Sequence, residues 1–193
     1  MRTLVLASTS PYRLQLLRQL GLPFQVAAPL FKESIDQEIA PELQVKYLAS
    51  HKAKSLSERY PDALIIGADQ VFVDGRGKVL GKPGSVEGAL AQLREMSGRC
   101  HTFYTGVTLF DSRSGEALTD VVTFTVFLKK LSREQIARYI ERENPIDCAG
   151  SFKIEGLGIA LMERMEGCDY TALIGLPLIK LTEMLGRFGV EVL

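Results

Sequence analysis

Leu4-Val5-Leu6-Ala7-Ser8-Thr9-Ser10-Pro11-Tyr12-Arg13 decides how this chain folds, because an apolar strand runs straight into a turn that caps a helix. Ser10 suits the cap and Pro11 the first helical position, where the fixed φ is already helical and the missing N–H is no loss. Leu14, Leu17 and Leu20 then share one helix face, and Gly21 closes the segment. Such a turn faces free backbone N–H groups and the positive end of the helix dipole. Arg13 sits in that first turn, where a cation opposes the dipole. Either it is a solvated arginine on an ordinary capped helix, or an anion, most simply a phosphate, fills the space between them.

Downstream, Phe24-Gln25-Val26-Ala27 reads as a second short strand, and a loop carrying Glu33, Asp36 and Glu38 leads to Pro41. A helix from there to about Tyr60 has the apolar stripe Val45, Leu48, Ala49, Ala53 and Leu56, and Lys52 falls on that stripe. Lys52 either snorkels to the edge or points into a cleft where an anion neutralises it. Ala63 to Val73 follows as a nearly unbroken apolar run, the pattern of a strand covered on both faces, interrupted by Asp69 and Gln70. A carboxylate in such a strand is costly unless ligated or hydrogen-bonded, which makes Asp69 the candidate metal-bound or catalytic acid. The alternative is a strand that stops at Ala68 with Asp69 in a turn.

Composition narrows the chemistry. The chain has 193 residues, 46% of them hydrophobic and 24% charged, enough for a sizeable core and the length of one domain, possible as two lobes. Lys+Arg and Asp+Glu are equal at 23, so no basic excess supports binding to polymeric nucleic acid or to an anionic membrane, and any phosphate site must be local. Cys100, Cys148 and Cys168 form no Cys-x-x-Cys pair, which argues against a disulfide framework or a zinc site and points to a reducing, cytoplasmic setting. Only His51 and His101 are present, so any divalent ion would rest on oxygen ligands, as Mg²⁺ or Mn²⁺ shared by carboxylates and substrate phosphates does. No leader-like h-region opens the chain, and no apolar segment has the length of a membrane span.

Asp74-Gly75-Arg76-Gly77 reads as a turn, and Gly81-Lys82-Pro83-Gly84 as a tight loop presenting Lys82 ahead of a helix from about Ser85 to Ser97. That Gly-Lys-Pro lacks the frame of a phosphate-binding P-loop. His101 to Asp111 and Glu116 to Leu128 read as a hairpin, followed by a helix capped by Ser132 that runs to about Arg142. Cys148 to Gly158 is a glycine-punctuated loop carrying Lys153 and Glu155, and Gly175-Leu176-Pro177 starts an amphipathic helix with Leu178, Leu181 and Leu185 inward.

Leu-Ala-Ser-x-Ser-Pro-x-Arg at Leu6 to Arg13, Leu-Ala-x-x-Lys-Ala at Leu48 to Ala53, Gly-x-Asp-Gln at Gly67 to Gln70 and Gly-Lys-Pro at Gly81 to Pro83 together resemble the Maf family of nucleoside triphosphate pyrophosphatases. The likeness continues through Ser97-Gly98, Tyr104-Thr105-Gly106, Ala149-Gly150-Ser151 and Gly175-Leu176-Pro177, so it spans nearly the whole chain. It implies a single α/β domain over residues 1–193, with a mixed, elongated, twisted sheet flanked by helices. The fold would be inosine-triphosphatase-like, with a cleft between two lobes, and the protein a homodimer. It also implies hydrolysis between the α- and β-phosphates. Carried over by position, Ser8, Arg13, Lys52 and Lys82 hold the triphosphate, Glu33 ligates the divalent ion, and Asp69 binds it and activates water. The two lysines and Arg13 then stabilise charge in the transition state.

Tyr12, Gln70 and Glu155 occupy the positions that track base choice in the family, and their pattern resembles the 7-methyl-GTP subgroup rather than the thymidine/uridine one. The chemistry agrees: Tyr12 can stack on a cationic 7-methylguanine ring, and Glu155 can accept from its N1 and amino hydrogens. The implied reaction converts 7-methyl-GTP to 7-methyl-GMP and pyrophosphate, clearing a modified nucleotide from the pool. A pyrophosphatase for dTTP, UTP or other triphosphates, and a non-catalytic nucleotide-binding regulator, are the competing readings. Three residues depart from the subgroup pattern: Tyr12 replaces a tryptophan, Lys32 an acid before Glu33, and Tyr47 an arginine before the Leu-Ala-x-x-Lys motif. Lys32 can lend nothing to a Mg²⁺ site.

Overall fold

β1 (Thr3–Ala7), β2 (Gln25–Ala27) and β3 (Ala63–Val73) form the parallel part of the sheet, with β1 between the other two. The structure is a computed structural model and describes residues 2–32 and 39–193. From β1 the chain goes to one side for β2 and crosses to the other for β3. Right-handed crossovers then place the two connecting helices, α1 (Pro11–Arg18) and α2 (Pro41–Lys54), on opposite faces. The packing follows this rule. Leu16 and Leu17 of α1 cluster with Leu4, Leu6, Leu64 and Ile66, while Ala53 and Leu56 cluster with the alternate residues Val5, Ala7, Ala63 and Ile65.

The sheet has seven strands in the order β2-β1-β3-β5-β6-β7, with β4 (Val79–Leu80) on the end of β3. β5 (Cys100–Asp111) and β6 (Ala117–Leu128) are the long hairpin, and β7 (Met162–Gly167) runs antiparallel to the second half of β6. Two compact units result. The first comprises Met1–Gln70, Tyr104–Val122 and Asp169–Leu193, and the second Val71–Phe103 and Thr123–Cys168. In the first, α6 (Leu178–Arg187) adds Leu178, Leu181, Met184 and Leu185 to the cluster beneath α1. The second contains α3 (Val86–Met96) and α4 (Arg133–Glu143) and a knot of rings in which Phe72 lies 4.5 Å from Phe103 and 6.0 Å from Phe152. Ser132 and Gln135 close a reciprocal capping box on α4, so that helix starts where its sequence says it should.

The elements depart from the sequence expectation in three places. α2 ends at Lys54 rather than near Tyr60, because the Ser55 hydroxyl donates to Lys52 O at 2.8 Å and accepts from Leu30 N at 3.0 Å, drawing the chain out of the helical ladder. Leu14, Leu17 and Leu20 pack on one cluster as the sequence suggests, but Leu16 is buried in it as well. β7 and the five-residue α5 (Tyr170–Ile174) carry no apolar periodicity. β7 ends the sheet order, and its charges suit an edge strand, with Arg164 stacked 3.5 Å over Phe127.

Inside the second unit His101 is 2% exposed. Nε2 lies 2.9 Å from Met96 O and so donates, while Nδ1 accepts from Gly75 N at 3.1 Å, which fixes a neutral tautomer. Burial pushes its pKa below the ordinary imidazole value, outweighing the Met96 bond and Asp74, which favour the charged ring. The unfolded chain therefore binds the proton first. Stability is complete above about pH 6.5 and falls as the pH drops below it, toward the lower folded value. His101→Gln preserves one donor and one acceptor without a titrating ring and should flatten the dependence of Tm on pH between about pH 7 and pH 5. An unchanged slope in the variant would assign acid sensitivity to other groups.

Candidate active site

Ser8, Thr9 and Ser10 follow the carboxyl end of β1 where the order β2-β1-β3 reverses direction, the place where parallel α/β sheets bind ligands. Ala7 pairs with Gly67, so Ser8, Thr9 and Ser10 leave the sheet beside Asp69. Ser8 is buried and its hydroxyl accepts from Ser10 N at 3.1 Å, tightening the turn. Ser10 caps α1 through Arg13 N, and no acidic residue occupies the first helical turn, so the positive end of this helix is not offset by an acid of its own.

Gly67 and Asp69 point to the same face of β3, two residues apart, and that face meets α2. A Cβ at Gly67 would lie 2.1 Å from Ala49 O and 2.8 Å from Ala53 N, and one at Gly106 of β5 would lie 2.4 Å from Val45 O. The two glycines thus form a trough in which the α2 backbone rests directly on the sheet. This close approach carries Lys52, on the apolar stripe of α2, to Asp69: Nζ donates to Oδ1 at 2.6 Å, with both residues buried. Lys52 therefore does not snorkel, and β3 continues past Asp69 to Val73.

Gln70, the next residue, faces the opposite side. Its amide nitrogen donates to Thr105 Oγ1 at 2.9 Å and to Ala172 O at 2.8 Å, with Leu173 O at 3.2 Å, and Thr105 in turn donates to Ala172 O at 2.8 Å. Both N–H groups are thereby committed within the protein, and Oε1 is what Gln70 can offer a ligand. Arg13 Nε donates to Gly175 O at 2.8 Å. Gly175 has φ 126°, a conformation that favours glycine, and a Cβ there would sit 3.6 Å from Arg13 Nε. Asp169, 2% exposed, anchors this segment: Oδ1 accepts from Thr171 N at 2.9 Å and Oδ2 from Ile179 N at 2.9 Å. Thr105 and Asp169 are the positioning residues that sequence reading missed. The Asp-x-Thr spacing is a capping signal that could have flagged Asp169.

The first unit thus gathers Ser8, Arg13, Lys52, Asp69 and Gln70 around the end of β1 and the adjoining stretch of β3, with Tyr12 half-buried on α1. Lys82 and Glu155 belong to the second unit. Lys82 is exposed on a loop held by Gly84 N donating to Ile146 O at 3.1 Å and by Gln92 Nε2 donating to Gly81 O at 3.2 Å. Glu155 is exposed, yet the chain on either side of it is fixed: Lys153 N donates to the Tyr139 hydroxyl at 3.0 Å and Leu157 N to Glu143 Oε1 at 2.9 Å. Lys153 itself spends its ammonium on Glu143 O at 2.8 Å. Glu33 lies outside the described residues.

Among the described residues no group of three or more His, Cys, Asp or Glu side chains could hold a metal ion. What they provide is the single carboxylate of Asp69, buried beside a lysine. That donor set fits a hard cation such as Mg²⁺, which takes one or two carboxylates and completes its shell with phosphate oxygens and water. Cys100, Cys148 and Cys168 form no disulfide, and no helix among the described residues is long and apolar enough to cross a membrane.

The profile of the family described as Maf-like protein matches residues 3–188. The 7-methyl-GTP pyrophosphatase of Syntrophotalea carbinolica is 66% identical over 193 residues, covering 100% of this chain and 98% of its own. That of Nitrosococcus oceani is 50% identical over 191 residues, 99% of this chain and 96% of its own. Among solved structures, the Ham1 protein of Staphylococcus aureus aligns at 13% identity with a TM-score of 0.47, over 81% of this chain and 89% of that one.

Proposed function

The chain belongs to the Maf family, and from that membership we propose that it is a nucleoside triphosphate pyrophosphatase that converts 7-methyl-GTP to 7-methyl-GMP and pyrophosphate. The observation that carries this reading is the buried Lys52–Asp69 pair at the carboxyl end of β1, beside the amino end of α1. The relatives named 7-methyl-GTP pyrophosphatase over their full length support the substrate.

In this reading the triphosphate lies against the amino end of α1, with Ser8 and Arg13 on its oxygens, and Lys82 is assigned to the triphosphate by resemblance to the family alone. Lys52, buried against Asp69, also donates to the incoming phosphate chain. Asp69 accepts a proton from the attacking water. Water oxygen bonds to phosphorus beside the α–β bridge, the bridging P–O bond breaks, and its electron pair leaves with the pyrophosphate. Asp69, with Glu33 by resemblance, would hold a Mg²⁺ or Mn²⁺ ion, which when bound supplies charge neutralisation of the phosphates. Membership of the family also supports a homodimer, and the balanced charge and the cysteines outside any disulfide support a cytoplasmic protein without a polymeric nucleic acid partner.

Base choice in this proposal rests on Tyr12, Gln70 Oε1 and Glu155. The carboxylate matches both the positive ring and its two adjacent N–H donors, and glutamine would set a donor against a donor. The preference for 7-methyl-GTP over GTP, measured as the ratio of kcat/KM values, should be large in the wild type and should fall by about tenfold or more in Glu155→Gln, the size of one charge-assisted hydrogen bond. Equal rates on both nucleotides in the wild type would remove the methylguanine assignment and leave a general pyrophosphatase.

A further inference from the structure

The second unit holds a cavity of about 280 Å³ walled by α4, the segment Lys129–Leu131 and the 3-10 turn at Leu157–Leu161, which starts two residues after Glu155. Its chemistry is sharply divided. Leu131, Leu157, Leu161 and Tyr139 supply an apolar floor, and Lys129, Lys130, Arg138 and Arg142 supply the charge. No carboxylate lines it, although the chain as a whole is neutral, with 23 basic and 23 acidic residues. Among the described residues none of the four cations is in a salt bridge, although Arg138 has Glu134 one turn earlier on α4 as an electrostatic neighbour. Lys129 also donates to Ala160 O at 3.1 Å. Arg138 and Arg142 are four residues apart on α4, so they share one helix face, and both line the cavity.

We propose that this cavity is a second binding site, for a small phosphorylated molecule. Two planar forks suit phosphate oxygens better than they suit a single carboxylate, and two lysines at the rim raise the charge the site can neutralise. The volume is at the lower bound of ligand pockets, so it admits a nucleoside monophosphate or pyrophosphate and excludes a lipid or a folded partner. The apolar floor favours a ligand with a ring over a bare phosphate. The site also has a route to the rest of its unit: Tyr139 lines it and holds Lys153 N, and Leu157 lines it and is held by Glu143.

Hydrogen exchange on the full chain, titrated separately with GMP and with inorganic pyrophosphate, tests this. Amides of residues 129–142 and 157–161 should gain protection with GMP at lower concentration than with pyrophosphate. The double variant Arg138→Ala/Arg142→Ala alters two exposed helix positions where alanine is well accommodated. It should need about tenfold more GMP for the same protection there, while protection around β1 and α1 is unchanged. Protection by pyrophosphate alone would reassign the ligand as a bare phosphate and overturn the role of the apolar floor. No protection of these segments at millimolar ligand, or the same protection in the double variant, would overturn the site.

Discussion

Asp69→Asn should lower turnover of every accepted nucleotide by about two to four orders of magnitude, the range that loss of a general base commands. The substitution keeps the size of the side chain and leaves an oxygen for Lys52 Nζ, which lies 2.6 Å from Oδ1. What it removes is the charge. Lys52 is then a buried ammonium without that counter-ion, and breaking a buried pair from one side costs about 3–5 kcal/mol. The variant should accordingly melt earlier, and kcat must be compared well below its Tm. Lys52→Met in the same background restores a neutral, packed pair and should recover stability without recovering turnover. Because Lys52 itself acts on the phosphates in this reading, the double variant reads stability alone, and the chemical role of Asp69 rests on kcat of the folded single variant. Turnover within tenfold of wild type in folded Asp69→Asn would end the assignment.

The second large effect is at Gly67. Adding one methyl group there puts carbon 2.1 Å from Ala49 O, a backbone atom of α2 that cannot rotate away. Either the helix lifts off the sheet or the strand shifts, and overpacking of this kind costs about 3 kcal/mol. For a chain of this length Gly67→Ala should therefore lower Tm by roughly 6–12 °C. Any folded fraction should also be slow, because lifting α2 withdraws Lys52 from Asp69. Gly186→Ala in α6 is the control: nothing lies within 4 Å of its Cβ position, and alanine there should be neutral or stabilising. A Gly67→Ala variant with wild-type Tm would contradict the close packing of α2 on β3.

The strand, turn and helix from Leu4 to Arg13 were legible because each carries a local signal: an apolar run, a serine cap, a proline at the first helical position. Lys52 was legible as an anomaly, a cation on an apolar stripe, and Asp69 as another, a carboxylate in an apolar strand. Their pairing was not, since it depends on how closely α2 can approach β3, and that is set by Gly67 and Gly106 meeting backbone atoms of residues far away in sequence. Thr105 and Asp169 escaped for a similar reason. A threonine inside a strand and an aspartate before a five-residue helix look ordinary until Gln70, Ala172 and Ile179 are placed around them. β7 was hidden because an edge strand carries charges where an inner strand carries valines.

Phosphorus NMR of a single wild-type reaction tests most directly whether this chain cleaves between the α- and β-phosphates. With 7-methyl-GTP and Mg²⁺, one equivalent of pyrophosphate should appear for each 7-methyl-GMP, with no orthophosphate and no diphosphate nucleotide at any time. Orthophosphate with 7-methyl-GDP would place the cleavage at the terminal phosphate and contradict the account.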